Sequence, residues 1–176
     1  MAIPIRAAVI TISDKGAAGL REDTSGPALA DALRKMGIEV VSLDIVPDEP
    51  DRIAAALIAL VDEQRLDLVM TTGGTGPAPR DQTPEATRTV IEREMPGIPE
   101  VLRAEGYKKT PRAVLSRGIA GIRGGCLIVN LPGSPRAVAE GMETLVHILP
   151  HAIQMVRGED LEHGGHDHDH GEPHHG

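Results

Sequence analysis

Apolar residues along this chain fall into two kinds of pattern. Short, mostly apolar runs containing β-branched residues occupy residues 5–12, 66–71 and 126–130. Runs of that length and composition predict strands buried on both faces. Residues 38–46 alternate and predict a further strand. Residues 115–122 predict another, joined to 126–130 through the turn Arg123-Gly124-Gly125. Between these lie stretches with helical spacing. Residues 51–63 place Ile53, Leu57, Leu60 and Val61 on one face. A helix over 27–36 opens with Thr24 or Ser25 as its cap and Pro27 in the first turn, and stops at Gly37. Helices are also expected over 84–94, with Thr83 as cap, over 136–149 and from 150 to 156. Residues 95–110 are poorly patterned, and Pro96, Gly97 and Pro99 leave room only for a short helix over 99–105.

Alternating strands and helices with short links predict an α/β fold of three layers, a mostly parallel sheet with helices on both faces. In such sheets ligands sit beyond the C-terminal strand ends. Four loops follow predicted strands and should share that edge: residues 13–25, 47–50, 73–81 and 132–134.

Composition narrows the picture. The chain has 176 residues, no Phe or Trp, and one Tyr, so its core must rest on aliphatic side chains and Met. One domain is expected over 1–157, followed by a disordered acidic, His-rich tail over 158–176. The formal charge of −8 is concentrated in that tail. Residues 1–157 carry 18 basic against 20 acidic side chains, and no basic stripe suited to nucleic acid stands out. No apolar stretch is long enough to span a bilayer and no signal-peptide pattern opens the chain, so a cytoplasmic location is expected. Cys126 lies in an apolar run and is expected to be a buried, inert thiol.

The strongest chemical signal is Thr71-Thr72-Gly73-Gly74-Thr75-Gly76-Pro77-Ala78-Pro79-Arg80-Asp81, which ends one strand and leads into a helix. Its glycines leave backbone amides accessible to an anion, usually a phosphate. No Lys follows as a Walker loop requires, and the spacing is not that of the dinucleotide fingerprint. Each candidate has a structural reading beside the functional one. Asp81 could cap the helix from Pro84, and Asp48 the helix from Asp51. Alternatively, both could stand beside a bound phosphate as ligands for Mg²⁺. Ser134, with Gly133, could be a plain helix cap or a phosphate holder. Asp14, Asp23 and Ser25 could be solvated loop residues. In the tail, His166, His168 and His170 stand among other histidines, Asp and Gly, and could bind a transition metal without fixed geometry. The interleaved Asp and Gly distinguish the tail from the uninterrupted run of an expression tag.

Taken in order, Thr-Ile-Ser-Asp at 11–14, Asp-Thr-Ser-Gly-Pro at 23–27, Val-Pro-Asp-Glu at 46–49, the glycine loop, Pro-Arg-Asp at 79–81, Thr-Pro-Glu-Ala-Thr at 83–87 and Asn-Leu-Pro-Gly-Ser-Pro at 130–135 resemble the MogA/MoaB family of molybdenum-cofactor biosynthesis. The resemblance implies a molybdopterin-binding-domain-like fold and an enzyme that adenylylates molybdopterin, with Mg²⁺ as cofactor and ATP as co-substrate. It implies Asp48 and Asp81 as the essential carboxylates, holding Mg²⁺. The nucleotide would be bound by Gly73, Gly74, Thr75, Gly76 and Arg80. Ser13, Asp14, Ser25, Gly133 and Ser134 would receive molybdopterin or its phosphate. A homotrimer and a molybdenum-insertase partner are also implied. Ala78 stands where an aromatic is common in the family, so no stacking is expected there. Two other readings compete: a non-catalytic molybdopterin carrier of the same fold, and a metal-binding protein acting through the tail.

Overall fold

The structure, a computed structural model, describes residues 3–159. Its centre is a six-stranded sheet. In chain order the strands are β1 (Arg6–Ile12), β2 (Glu39–Val46), β3 (Leu68–Thr72), β4 (Arg93–Glu94), β5 (Ala120–Arg123) and β6 (Cys126–Leu131). Their spatial order is β2-β1-β3-β6-β5-β4. The first four in that spatial order run parallel, while β5 is antiparallel to both β6 and β4. The sheet is thus mostly parallel with an antiparallel edge, as its alternating strand and helix pattern predicts.

The apolar runs arise because both sheet faces are covered. Val9, Met70 and Val129 point into one core, shared with α2 (Ser25–Lys35), α6 (Pro135–Leu145) and α7 (Leu149–Val156). Their neighbours Ile10, Val69 and Ile128 point into the other, shared with α3 (Pro50–Ile58) and α4 (Thr83–Val90). Successive side chains alternate faces, so each strand needs apolar residues throughout. Cys126 is 1% exposed, and burial pushes its thiol up to about 12, as an inert core cysteine requires.

Several boundaries differ from the sequence reading, each for a local reason. The helix expected over 51–63 is α-helical to Ile58 and continues as a π-helical turn, Ala59–Glu63, closed by the Gln64 amide on the Ala59 carbonyl. The helix expected to reach residue 94 stops at Val90. Ile91 turns extended, and Glu92 and Met95 donate to the carbonyls of Ile122 and Ala120, adding β4 to the sheet edge. Thr83 does not cap α4; Gln82 occupies that position, and the Thr83 hydroxyl donates to the Gly73 carbonyl instead. The poorly patterned stretch forms a 13-residue helix, α5 (Gly97–Lys109), and then a 3₁₀ turn, Pro111–Leu115. The strand expected from residue 115 begins only at Ala120, because residues 116–119 turn toward the glycine loop. The loop after β1 contains a one-turn helix, α1 (Asp14–Ala17). His166, His168, His170 and almost all of the expected tail lie outside the described residues.

One ion pair closes the domain. The Arg157 guanidinium donates to both oxygens of Asp67 at 2.9 and 2.7 Å, and also to the carbonyls of Ile3 and Pro4. Burial pushes the Asp67 carboxyl up, but the Arg157 fork and the Arg6 amide outweigh it, so the net shift is downward from 3.8. A carboxylate whose folded pKa is depressed adds stability above its unfolded pKa and loses it as pH falls through the folded value. Asp67→Asn should therefore cost about 1–3 kcal/mol at neutral pH. In urea titrations of both proteins, that difference should shrink as the pH is lowered below about 4.

Candidate active site

The loops after β1, β2, β3 and β6 all emerge at the C-terminal edge of the parallel strands. The glycine loop after β3 lies between the others. Gly73 and Gly74 have φ of +100° and +66°, a region that favours glycine. A Cβ on Gly74 would stand 3.0 Å from Asp48 Oδ1, and one on Gly76 would stand 2.8 Å from Asp81 Oδ2. Both carboxylates therefore abut the bare loop backbone.

The loop's hydrogen bonds are one-sided. Every carbonyl from Gly73 to Gly76 accepts a bond from the protein. Gly73 takes the Thr83 hydroxyl at 2.9 Å and Gly74 the Thr83 amide at 3.1 Å. Thr75 takes the Arg117 amide at 2.8 Å, and Gly76 takes Arg117 Nε at 2.9 Å. The Gly73 amide donates to the Leu131 carbonyl, but among the described residues the amides of Gly74, Thr75 and Gly76 have no protein acceptor. Three successive donors left over in this way form a concavity suited to an anion.

The β6 loop packs directly onto this turn. Thr72 Oγ1 donates to the Pro132 carbonyl at 2.7 Å, and a Cβ on Gly133 would meet Gly73 Cα at 3.1 Å. Ser134 caps α6 through the Ala137 amide at 3.0 Å. Beneath, Asn130 is 3% exposed and holds the two strands in register, donating to the hydroxyls of Thr71 and Thr87 and accepting from the Ile119 amide.

Two spaces flank the glycine loop. On one side is a cleft of about 880 Å³ bounded by α5, the 3₁₀ turn and α6. Gly74, Thr75, Gly76, Asp81, Gly133 and Ser134 all line it. On the other side the loops after β1 and β2 form a clasp. Asp14 donates its amide to Asp48 Oδ2 at 2.9 Å, and Asp48 donates its amide to Asp14 Oδ1 at 3.0 Å. Arg80 reaches across and binds both oxygens of Asp14 at 2.9 and 2.8 Å. That pairing lowers the Asp14 carboxyl below its usual range. The Asp48 carboxyl moves the other way: burial raises it, and the neighbouring charges of Asp14 and Asp81 add to the rise. Ser13 caps α1 through the Gly16 amide. Ser25 is buried beside Asp23, which accepts from Thr11 Oγ1 and the Gly26 amide and so caps α2 in place of Thr24. The structure thus brings Asp48 and Asp81 to the same loop and leaves Ser13 and Ser25 at the far loop. Neither Asp48 nor Asp81 caps the helix that follows it: Glu49 occupies the cap position of α3, and Asp81 Oδ2 accepts the Ala78 amide at 3.1 Å.

Residues 8–151 match the family model described as "Probable molybdopterin binding domain". The chain belongs to this family. Among relatives of this molybdopterin-binding domain, the chain is 41% identical over 160 residues to the molybdopterin adenylyltransferase of Helicobacter pylori J99, covering 90% of this chain and 91% of that protein. It is 39% identical over 172 residues to the molybdopterin adenylyltransferase of Escherichia coli K12, covering 90% and 88%. The crystal structure of the molybdopterin biosynthesis enzyme MoaB from Thermus thermophilus superposes with a TM-score of 0.84 at 48% identity, over 88% of this chain and 98% of that one.

Arg117 carries no signal in the sequence, because it lies in a stretch expected to be strand. Its role depends on carbonyls about 40 residues earlier in the chain, which no local spacing encodes.

Proposed function

We propose that this protein adenylylates molybdopterin with ATP and releases pyrophosphate. The single observation that carries the reading is the glycine loop, whose carbonyls are all bonded to protein while three successive amides remain free between two carboxylates. Its family membership and the names of its relatives supply the two substrates. An oxygen of the terminal phosphate of molybdopterin attacks the α-phosphorus of ATP, a new P–O bond forms, and the bond to the β-phosphate oxygen breaks. The attacking phosphate is already an anion at neutral pH, so the site needs positioning and charge neutralisation more than a strong base.

In this reading the amides of Gly74, Thr75 and Gly76 hold nucleotide phosphate. Ser134 and Gly133, on the same cleft, receive the pterin substrate. Arg80 and Asp14 keep the opposite loop closed against Asp48. The residues also fit Mg²⁺. Among the described residues no group of three or more side-chain ligands preforms a metal cage. Mg²⁺, however, is commonly held by one or two carboxylates plus substrate phosphates. Asp48, buried and facing the charge of Asp81, gains from a cation between them. Bound there, Mg²⁺ would neutralise the phosphates and the leaving pyrophosphate. Among the described residues no helix is long and apolar enough to cross a membrane. The reading places the protein in the cytoplasm, as a homotrimer that passes its product to a molybdenum insertase.

Purified full-length protein incubated with molybdopterin, ATP and Mg²⁺ is expected to release pyrophosphate and yield adenylylated molybdopterin by mass spectrometry. Tight molybdopterin binding with no pyrophosphate would instead identify a carrier. A chain truncated after Gly158 should keep the activity; its loss would move function into the tail.

A further inference from the structure

We infer that Arg117 is the positioning residue that presents the glycine-loop amides to nucleotide phosphate. The inference rests on the adenylyl-transfer reading and assigns within it a residue that touches neither substrate nor metal. Arg117 contacts the loop at three points. Its amide donates to the Thr75 carbonyl at 2.8 Å, its Nε to the Gly76 carbonyl at 2.9 Å and its Nη2 to the Asp81 carbonyl at 2.8 Å. The same guanidinium pairs with Glu85 near the start of α4. One side chain therefore spans the loop from Gly76 to Asp81 and ties it to the helix that follows.

Two consequences follow from where these bonds fall. Peptide units are planar, so the Arg117 amide, by fixing the Thr75 carbonyl, fixes the plane that carries the Gly76 amide. The Gly76 carbonyl shares its plane with the Pro77 nitrogen, which has no hydrogen, so the Nε bond anchors the chain immediately after the three free amides. With its acceptors satisfied from behind, the loop's remaining hydrogen-bonding capacity is donor only, which is what a phosphate needs. The bond to the Asp81 carbonyl sets the backbone from which that carboxylate projects. Glu85 balances the Arg117 charge, so the contribution is geometric rather than a second cation in the site. Lysine could supply the charge but not the rigid fork that reaches two carbonyls and a carboxylate together.

The test uses full-length protein, Arg117→Lys and Arg117→Gln, with separate titrations of ATP and molybdopterin. Both variants are expected to bind ATP about tenfold or more weakly, while molybdopterin affinity stays within about twofold. A merely structural residue would weaken both ligands alike, and that result overturns the inference. So does Arg117→Lys with wild-type ATP affinity. Should both variants fail to fold, amide NMR of the wild type decides. ATP should shift the Gly74, Thr75 and Gly76 resonances, and the Arg117 Nε–H should stay protected from exchange. Active protein in which those three amides do not respond would overturn the inference. Wild-type protein that neither binds ATP nor adenylylates would instead overturn the adenylyl-transfer reading.

Discussion

Asp81→Asn is expected to lower adenylyl transfer by about 10²–10³-fold, the loss typical of removing one preorganised electrostatic group from a transition state. The substitution is chosen to spare the loop. Asp81 Oδ2 accepts the Ala78 amide at 3.1 Å, and an asparagine oxygen can accept that bond in the same place. Its backbone carbonyl, bonded to Arg117, is untouched. What disappears is the negative charge beside Gly76. The decrease should therefore fall on turnover, with the thermal midpoint nearly unchanged. Asp48→Asn should behave alike, since the Asp14 amide retains an acceptor. Raising Mg²⁺ should recover part of the Asp81→Asn loss if charge at the metal site is the cause. Full turnover in Asp81→Asn would remove this carboxylate from the mechanism.

Gly73→Ala should be the most damaging single methyl group in the loop. The residue sits at φ +100°, where an L side chain is strained by about 1–3 kcal/mol. Its Cβ would also press on the Ile12 carbonyl oxygen, which belongs to β1, paired on both sides within the sheet, and cannot swing aside. Neither side of the turn can relax, because the Gly73 amide is held by Leu131 and its carbonyl by Thr83. Gly19→Ala provides the control: φ is +73°, but no atom lies within 4 Å of the added carbon. Urea denaturation should show Gly73→Ala destabilised by clearly more than Gly19→Ala. Equal losses would mean that the close approach to β1 has no energetic weight.

These residues also mark what a sequence of this kind makes legible. The buried strands were readable because a strand covered on both faces is apolar at successive positions, as at residues 126–129. The ligand edge was readable because parallel strands put their following loops on one side, and the glycine run named the loop. The parts that were hidden depend on contacts between distant segments. Helix α5 carries Gly, Pro and Lys and buries only Ile98 and Pro99, so its pattern is weak. Strand β4 is two residues long and exists only through pairing with β5. The bonds of Arg80 to Asp14 and of Arg117 to the glycine loop span 66 and 41 residues. Charge and spacing place these side chains near a site without saying which partner they choose.

The Arg157 clamp has a topological consequence. It brings Ile3 and Pro4 together with Arg157, at the strand end marked by Asp67, whereas the glycine loop begins at Gly73, at the other end of the same strand. The chain therefore enters and leaves the domain at a single point, about 20 Å from the ligand edge at an extended rise of ~3.3 Å per residue. A module built this way can be spliced into a longer polypeptide, or permuted by joining these ends, with its ligand edge left facing outward.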